Sequence, residues 1–242
     1  MGIFDVLKRK TPLEKLAKEV KEPFSQPEYR REAMDKLFRM GTEEAYKALL
    51  GRFTVAASGA IADEQEKREM VDRLVEVGEP ALGQVKHFIK TEQKITFPLR
   101  ALSRMVPKAE AIAFMIETLK QYEPLDHRSI EQKTTLLTTL GDLVGRDEAP
   151  IFIPYLEDHS DDVQFNTIVV LERLANPEAR LPLAKVCVGE DHAQRIQRRA
   201  AEALAKLEWS VREHYDQFNA ELKQEYLLGK KGLLVKKGAK AE

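Results

Sequence analysis

The side chains best suited to chemistry in this 242-residue chain are its histidines and a scatter of carboxylates. Three histidines follow an aspartate: Asp126–His127, Asp158–His159 and Asp191–His192, at intervals of 32 and 33 residues. Imidazoles at a fixed interval invite the idea of one shared metal ion. Packed helices, however, lie about 8–10 Å apart, whereas metal–nitrogen bonds are about 2 Å. Equivalent positions on successive helices therefore do not converge on one ion, and each Asp reads instead as a cap or turn acceptor for the helix that follows. Glu157, Asp158, Asp161 and Asp162 crowd into one such turn, where a helix N-terminus favours negative charge. The single cysteine, Cys187, lies among Leu183, Ala184, Val186 and Val188 and reads as core. No glycine loop for phosphate and no Ser-His-Asp set is recognisable. No catalytic residue, metal ligand or cofactor is expected, and the chain is read as a non-enzyme.

The elements behind these residues are helices. From Ala200, the apolar residues Ala201, Leu204 and Leu207 follow at +1, +4 and +7, one side of a 3.6-residue period. The same frame starts at Ala33, Met70, Ala101, Leu136 and Thr167, so six anchors recur every 31 to 37 residues. A second series precedes five of them: Ala45/Leu49, Ala81/Val85, Ala111/Met115, Ala149/Ile153 and Ala179/Leu183. Each member opens just after Gly41, Gly78, Pro107, Gly145 or Asn176–Pro177, residues suited to helix ends and first turns. Paired helices at this period bury a core only by stacking on their neighbours.

The helix pair, the small residue early in its first helix, Pro154 and Pro182 within that helix, and the Asp-rich turn before the second resemble HEAT repeats over about residues 12–207. The layout is similar to that of uncharacterised bacterial HEAT-repeat proteins. The resemblance implies an all-α fold: a right-handed α-solenoid of about six helix pairs, with N- and C-terminal capping helices. It implies no activity, because the architecture serves many roles. Some HEAT enzymes hold two irons through His-Glu pairs. Here Phe, Arg, Ser, Ala and Tyr follow His87, His127, His159, His192 and His214, so the pair is missing. HEAT-like glycosylases use an aromatic cleft, whereas the one tryptophan, Trp209, stands at the end of the array.

Composition narrows the partners. Lys and Arg total 39 against 40 Asp and Glu, and this balance argues against general nucleic-acid coating. Aromatics are only 7%, too few for base-stacking platforms. A lone cysteine fits a reducing compartment, no apolar run matches a membrane span, and the basic residues Lys8, Arg9 and Lys10 follow the short apolar stretch, the reverse of a signal peptide. Val6 stands where a myristoylation motif wants Ser or Thr. The expected compartment is the cytoplasm.

Four segments are expected: an amphipathic 1–11, the repeat array 12–207, a capping helix 208–228 along Val211, Tyr215, Phe218, Leu222 and Tyr226, and a flexible basic tail 229–242. Residues 1–11 read as a cap on the first repeat or as a short docking helix. The small-residue connection 54–62, TVAASGAIA, reads either as a partner-binding loop or as a segment folded on its own repeat.

In HEAT-like solenoids the second helices line the concave side. Their outward positions, −1, +2, +3 and +6 from each anchor, form the expected partner surface. Repeats 2 and 3 contribute Arg73, Arg100 and Arg104, repeat 4 contributes Thr135, Thr138 and Thr139, and repeat 5 contributes Asn166, Val169, Val170 and Arg173. An apolar Val169/Val170 centre within a polar rim suits a protein or peptide, with the arginines reading acidic or carbonyl groups. Nucleic acid or an anionic membrane on the lysine-rich tail is the alternative, with weak membrane contact by the termini. An enzyme of the lyase or glycosylase kind on this scaffold is the weakest reading.

Overall fold

The computed structural model describes residues 10–238 and is predominantly helical. The expectations for residues 1–9 and 239–242 lie outside the described residues. The chain divides into two compact units at Ala111/Ile112. Among the described residues no helix is long and apolar enough to cross a membrane.

The first unit is built from α1 (Pro12–Val20), α2 (Pro27–Met40), α3 (Glu43–Leu50), α4 (Ala60–Val77), α5 (Glu79–Thr91) and α6 (Thr96–Met105). Thr11, Pro12 and Glu14 open α1 with a capping box: Glu14 N–H donates to Thr11 Oγ1 at 3.2 Å and Thr11 N–H to Glu14 Oε2 at 2.8 Å. Gly41 ends α2 in the left-handed region, and Thr42 caps α3. The first helices of the pairs, α1, α3 and α5, pack on one another, and α4 packs on α6. The anchors are core: Ala33, Met34, Leu37, Met70, Val71, Leu74, Ala101 and Leu102 are all buried.

Following α7 (Lys108–Lys120), the second unit carries α8 (Ile130–Leu143), α9 (Asp161–Leu174), α10 (Arg180–Val188) and α11 (Gln194–Lys206). In it α8 packs on α9, α9 on α11 and α10 on α11. Leu136, Leu137, Leu140, Thr167, Ile168, Leu171, Ala200, Ala201 and Leu204 are buried. The first helix of the fifth pair departs from the expected form. Pro150 and Pro154 each remove an N–H, and the segment runs as two 3-10 turns, Arg146–Ile151 and Ile153–Glu157.

One feature recurs in five of the six second helices. The residue three before the anchor is polar and buried, and in all of them but α4 it turns back on the connection ahead of its own helix. These residues are Arg30, Lys67, Lys133, Gln164 and Gln197. Arg30 donates to the Ser25 carbonyl, and Lys67 to Asp63 at 2.7 Å. Lys133 donates to the carbonyls of Glu123, Pro124 and Asp126 at 3.3, 3.0 and 2.9 Å and pairs with buried Asp158. Gln164 donates to the Asp158 carbonyl, and Gln197 to that of Gly189 at 2.7 Å. Pro98 takes this place in α6.

The connection before α4 folds on its own unit. α4 begins at Ala60, so Ile61 and Ala62 are helical. Ala57 is buried and its N–H donates to Asp63 Oδ1 at 3.0 Å, while Ser58 N–H reaches the Pro23 carbonyl at 3.3 Å. Behind it lies a buried charge cluster. Arg52 bridges Asp63 and Glu66, Arg30 meets Glu66 at 3.1 Å, and Lys67 meets Asp63. Burial alone would raise the Asp63 carboxyl, but hydrogen bonds from Lys67, Arg52 and the Ala57 N–H outweigh it and hold the group at about 2.

The C-terminus differs from the expected helix and tail. Val211, Phe218, Leu222 and Tyr226 are buried, as their spacing suggests, but they do not share one helix. A 3-10 turn (Tyr215–Gln217) leads to the short α12 (Ala220–Glu225), capped by Asn219, whose Oδ1 accepts from Leu222 N–H at 2.8 Å. The end of the expected capping helix then forms a strand, β1 (Tyr226–Leu228), which pairs antiparallel with β2 (Leu234–Lys236) from the expected flexible tail, in register Leu227↔Val235. β2 lies against α11. Gly232 fixes the turn: its φ is +81°, its carbonyl accepts from Val211 N–H at 2.9 Å, and a Cβ there would fall 2.4 Å from Ser210 Oγ.

Two outcomes follow. Lys133→Met strands the Asp158 carboxylate and three carbonyls, and should destabilise the second unit by about 3–5 kcal/mol. Urea unfolding read by Trp209 fluorescence checks this. The folded-state pKa of Asp63 lies below the unfolded value of about 3.9, so its contribution is complete above pH 4 and is lost as pH falls towards 2, a change of about 2 kcal/mol. In Asp63→Asn that segment of the stability–pH curve should flatten.

Candidate partner-binding face

The outward residues of the second helices fall into two sets, one in each unit. In the first unit two of the expected arginines already have partners on the preceding second helix. Arg73 Nη1 meets Asp35 Oδ1 at 2.6 Å, with its guanidinium 4.0 Å from the Phe38 ring centre. Arg104 Nη1 meets Asp72 Oδ1 at 2.5 Å. The pattern is regular: a carboxylate at +2 of one helix receives the arginine at +3 of the next. Arg100 is exposed and lies 5.0 Å over the Phe97 ring, which stacks in turn on Phe53. Between α2 and α4 an open cleft of about 480 Å³ is lined by Arg31, Met34, Asp35, Phe38, Glu69 and Arg73, among others. Exposed pairs of this kind are worth about 0–1 kcal/mol each, so an incoming carboxylate can displace them.

In α8 and α9 of the second unit the +2 and +3 positions carry no charges. Thr138 and Thr139 occupy them in α8, and Val169 and Val170 in α9. Thr135 Oγ1 donates to the Glu131 carbonyl and Thr138 Oγ1 to that of Thr134, each at 2.9 Å. Asn166 Nδ2 donates to the Asp162 carbonyl at 2.7 Å. The two threonine hydroxyls spend their hydrogens on their own helix and so offer methyl groups and acceptor lone pairs outward. Thr139 is half-buried, and Arg173 is exposed.

Val170 is a correction. It is 4% exposed and cannot form half of a surface patch, whereas Val169 is 40% exposed. The reason is the crossing of α8 and α9. Gly141 has no Cβ, and the Val170 side chain fills the space, with Cγ2 only 2.6 Å from where a Cβ would stand. The apolar partner of Val169 is instead Phe165, 38% exposed and one turn earlier on α9. The anchor frame missed Phe165 because it occupies −2, a position assigned to neither face; the visible signal was its spacing of four from Val169.

Phe165, Val169 and Arg173 thus form one exposed stripe along α9. The Arg199 guanidinium of α11 borders it, 5.7 Å from the Phe165 ring centre and 2.5 Å from Glu172. Lys206 joins the same carboxylate at 2.6 Å. Burial raises the Glu172 carboxyl, yet hydrogen bonds from Lys206 and Arg199 prevail and lower it. This gives the apolar stripe an ionised rim.

The Asp-His pairs do three different things. Asp126 Oδ1 accepts from Arg128 N–H at 3.0 Å, which caps a 3-10 turn, and His127 is exposed. Asp158 is buried against Lys133 and accepts from Ser160 N–H at 2.9 Å, while His159 is exposed. In the third pair the histidine is the buried member: His192 Nδ1 lies 3.1 Å from Gln164 Oε1, and exposed Asp191 does not cap α11, whose N-cap is Ala193. Among the described residues no group of three or more His, Cys, Asp or Glu is placed to hold a metal ion. Burial pushes the Cys187 thiol up to about 12, which leaves it without thiolate character.

Gly141→Ala tests the placement of Val170. The added methyl overpacks the α8–α9 crossing and should cost about 1–3 kcal/mol in urea unfolding, with partial recovery when combined with Val170→Ala. No protein-family model matches the chain, and no curated protein is significantly similar to it.

Proposed function

We propose that this chain is a non-enzymatic interaction scaffold, its helix pairs being HEAT-like repeats of a right-handed α-solenoid, and that it binds a protein or peptide through its second helices. The observation that carries the reading is the Phe165–Val169–Arg173 stripe on α9. Two bulky apolar side chains stand one turn apart in water, beside a fixed Arg199–Glu172–Lys206 network. An apolar centre with a charged rim is the composition of a recognition surface.

The reading of the second-helix repeats rests on the buried anchors and on the polar residue three positions before most of them. The stripe suits an amphipathic segment of a partner, whose apolar residues would cover Phe165 and Val169 while a carboxylate or carbonyl meets Arg173. In the first unit, Arg73 and Arg104 would exchange the Asp35 and Asp72 carboxylates for those of the partner. Cytoplasmic localisation belongs to the same proposal.

Phe165→Ser and Val169→Asp, singly and together, should lower recovery of co-purifying proteins at least tenfold relative to the unaltered chain, with the helical circular dichroism unchanged. Arg104→Glu should give a smaller loss that shrinks as salt is raised. Undiminished recovery of the same proteins by the double variant would remove α9 as the binding face.

A further inference from the structure

The β1–β2 hairpin uses its two faces differently. Its inner face is used: Tyr226 and Leu234 are buried. Its outer face holds Leu227 and Val235 directly opposite one another in the register, 50% and 46% exposed. Near that pair stand Lys230 and Lys231 in the turn and Lys237 just after β2, all exposed; Lys236, also exposed, pairs with Tyr226 and so lies on the other face of the ladder. Residues 226–237 contain these four lysines and no Asp or Glu. The nearest preceding carboxylate, Glu225, is paired with Arg198 at 2.6 Å.

We propose that the β1–β2 hairpin docks on an anionic phospholipid surface, with Leu227 and Val235 entering the headgroup layer and Lys230, Lys231 and Lys237 meeting lipid phosphates. The chemistry selects this occupant. Aliphatic side chains gain free energy on entering the acyl boundary, and lysines near an anionic leaflet add to it. A single-stranded nucleic acid would instead call for aromatic side chains to stack on, and the outer face has none. The ordered turn matters. Gly229 leaves room for the Val235 side chain, whose Cγ2 comes within 2.7 Å of where a Cβ would stand, and the Gly232 carbonyl is tied to Val211. The apolar pair and the ammonium groups are therefore presented together, without a folding step on binding.

The test is co-sedimentation of the full chain with vesicles of phosphatidylcholine alone or with one third phosphatidylglycerol. Binding should favour the anionic vesicles and fall steeply with salt. Leu227→Thr with Val235→Thr keeps strand propensity and charge but should lower partition at least fivefold. Each Lys→Gln change at Lys230, Lys231 or Lys237 should lower it by up to about fivefold, and Lys236→Gln by less. Equal sedimentation with both vesicle types, or unchanged partition of the Leu227/Val235 variant, overturns the proposal. So does preference for single-stranded DNA over anionic vesicles at equal charge. Circular dichroism of each variant separates lost binding from lost folding, and Phe165→Ser, on a different face, should leave vesicle binding intact.

Discussion

The structure depends on how the turn inside each helix pair is held. A connection between two packed helices carries carbonyls with no helical partner, and a buried orphan costs about 1–3 kcal/mol. Arg30, Lys133, Gln164 and Gln197 supply the missing donors from a fixed place in the following helix. Lys133 is the extreme case: a wholly buried ammonium gathers three carbonyls and one carboxylate. Such a charge is tolerated only because every donor is used.

The two units solve the outward face of their second helices differently. In the first, the +2 and +3 positions make ion pairs from one helix to the next, Asp35 with Arg73 and Asp72 with Arg104. In the second, Gly141 lets α9 approach α8 closely enough to bury Val170. Phe165 and Val169, four residues apart on another side of α9, stay in water. The adjacent Arg199–Glu172–Lys206 network keeps the surroundings of this stripe polar.

Much of this was legible in the residues. The anchor periodicity identified the buried faces of α2, α4, α6, α8, α9 and α11, because a helix has one period and a core tolerates few polar atoms. It failed where two faces meet: Val170 sits on the border of the apolar arc, and only the missing Cβ of a residue on another helix decides its side. The C-terminal stripe gave the right buried residues and the wrong backbone. Asn219 and Gly232 divert the chain into a turn and a hairpin that place Val211, Phe218, Leu222 and Tyr226 inside all the same. The donors three residues before the anchors were visible as polar letters at a constant offset. Their role needed the carbonyls, which no sequence displays.

Enclosure of Lys133 also changes its reactivity. With no accessible surface and every proton donated, its amine meets no acylating or alkylating reagent while the second unit is closed. Covalent labelling at that single site therefore measures how often the unit opens, a clock for local breathing written into the chain by one nitrogen.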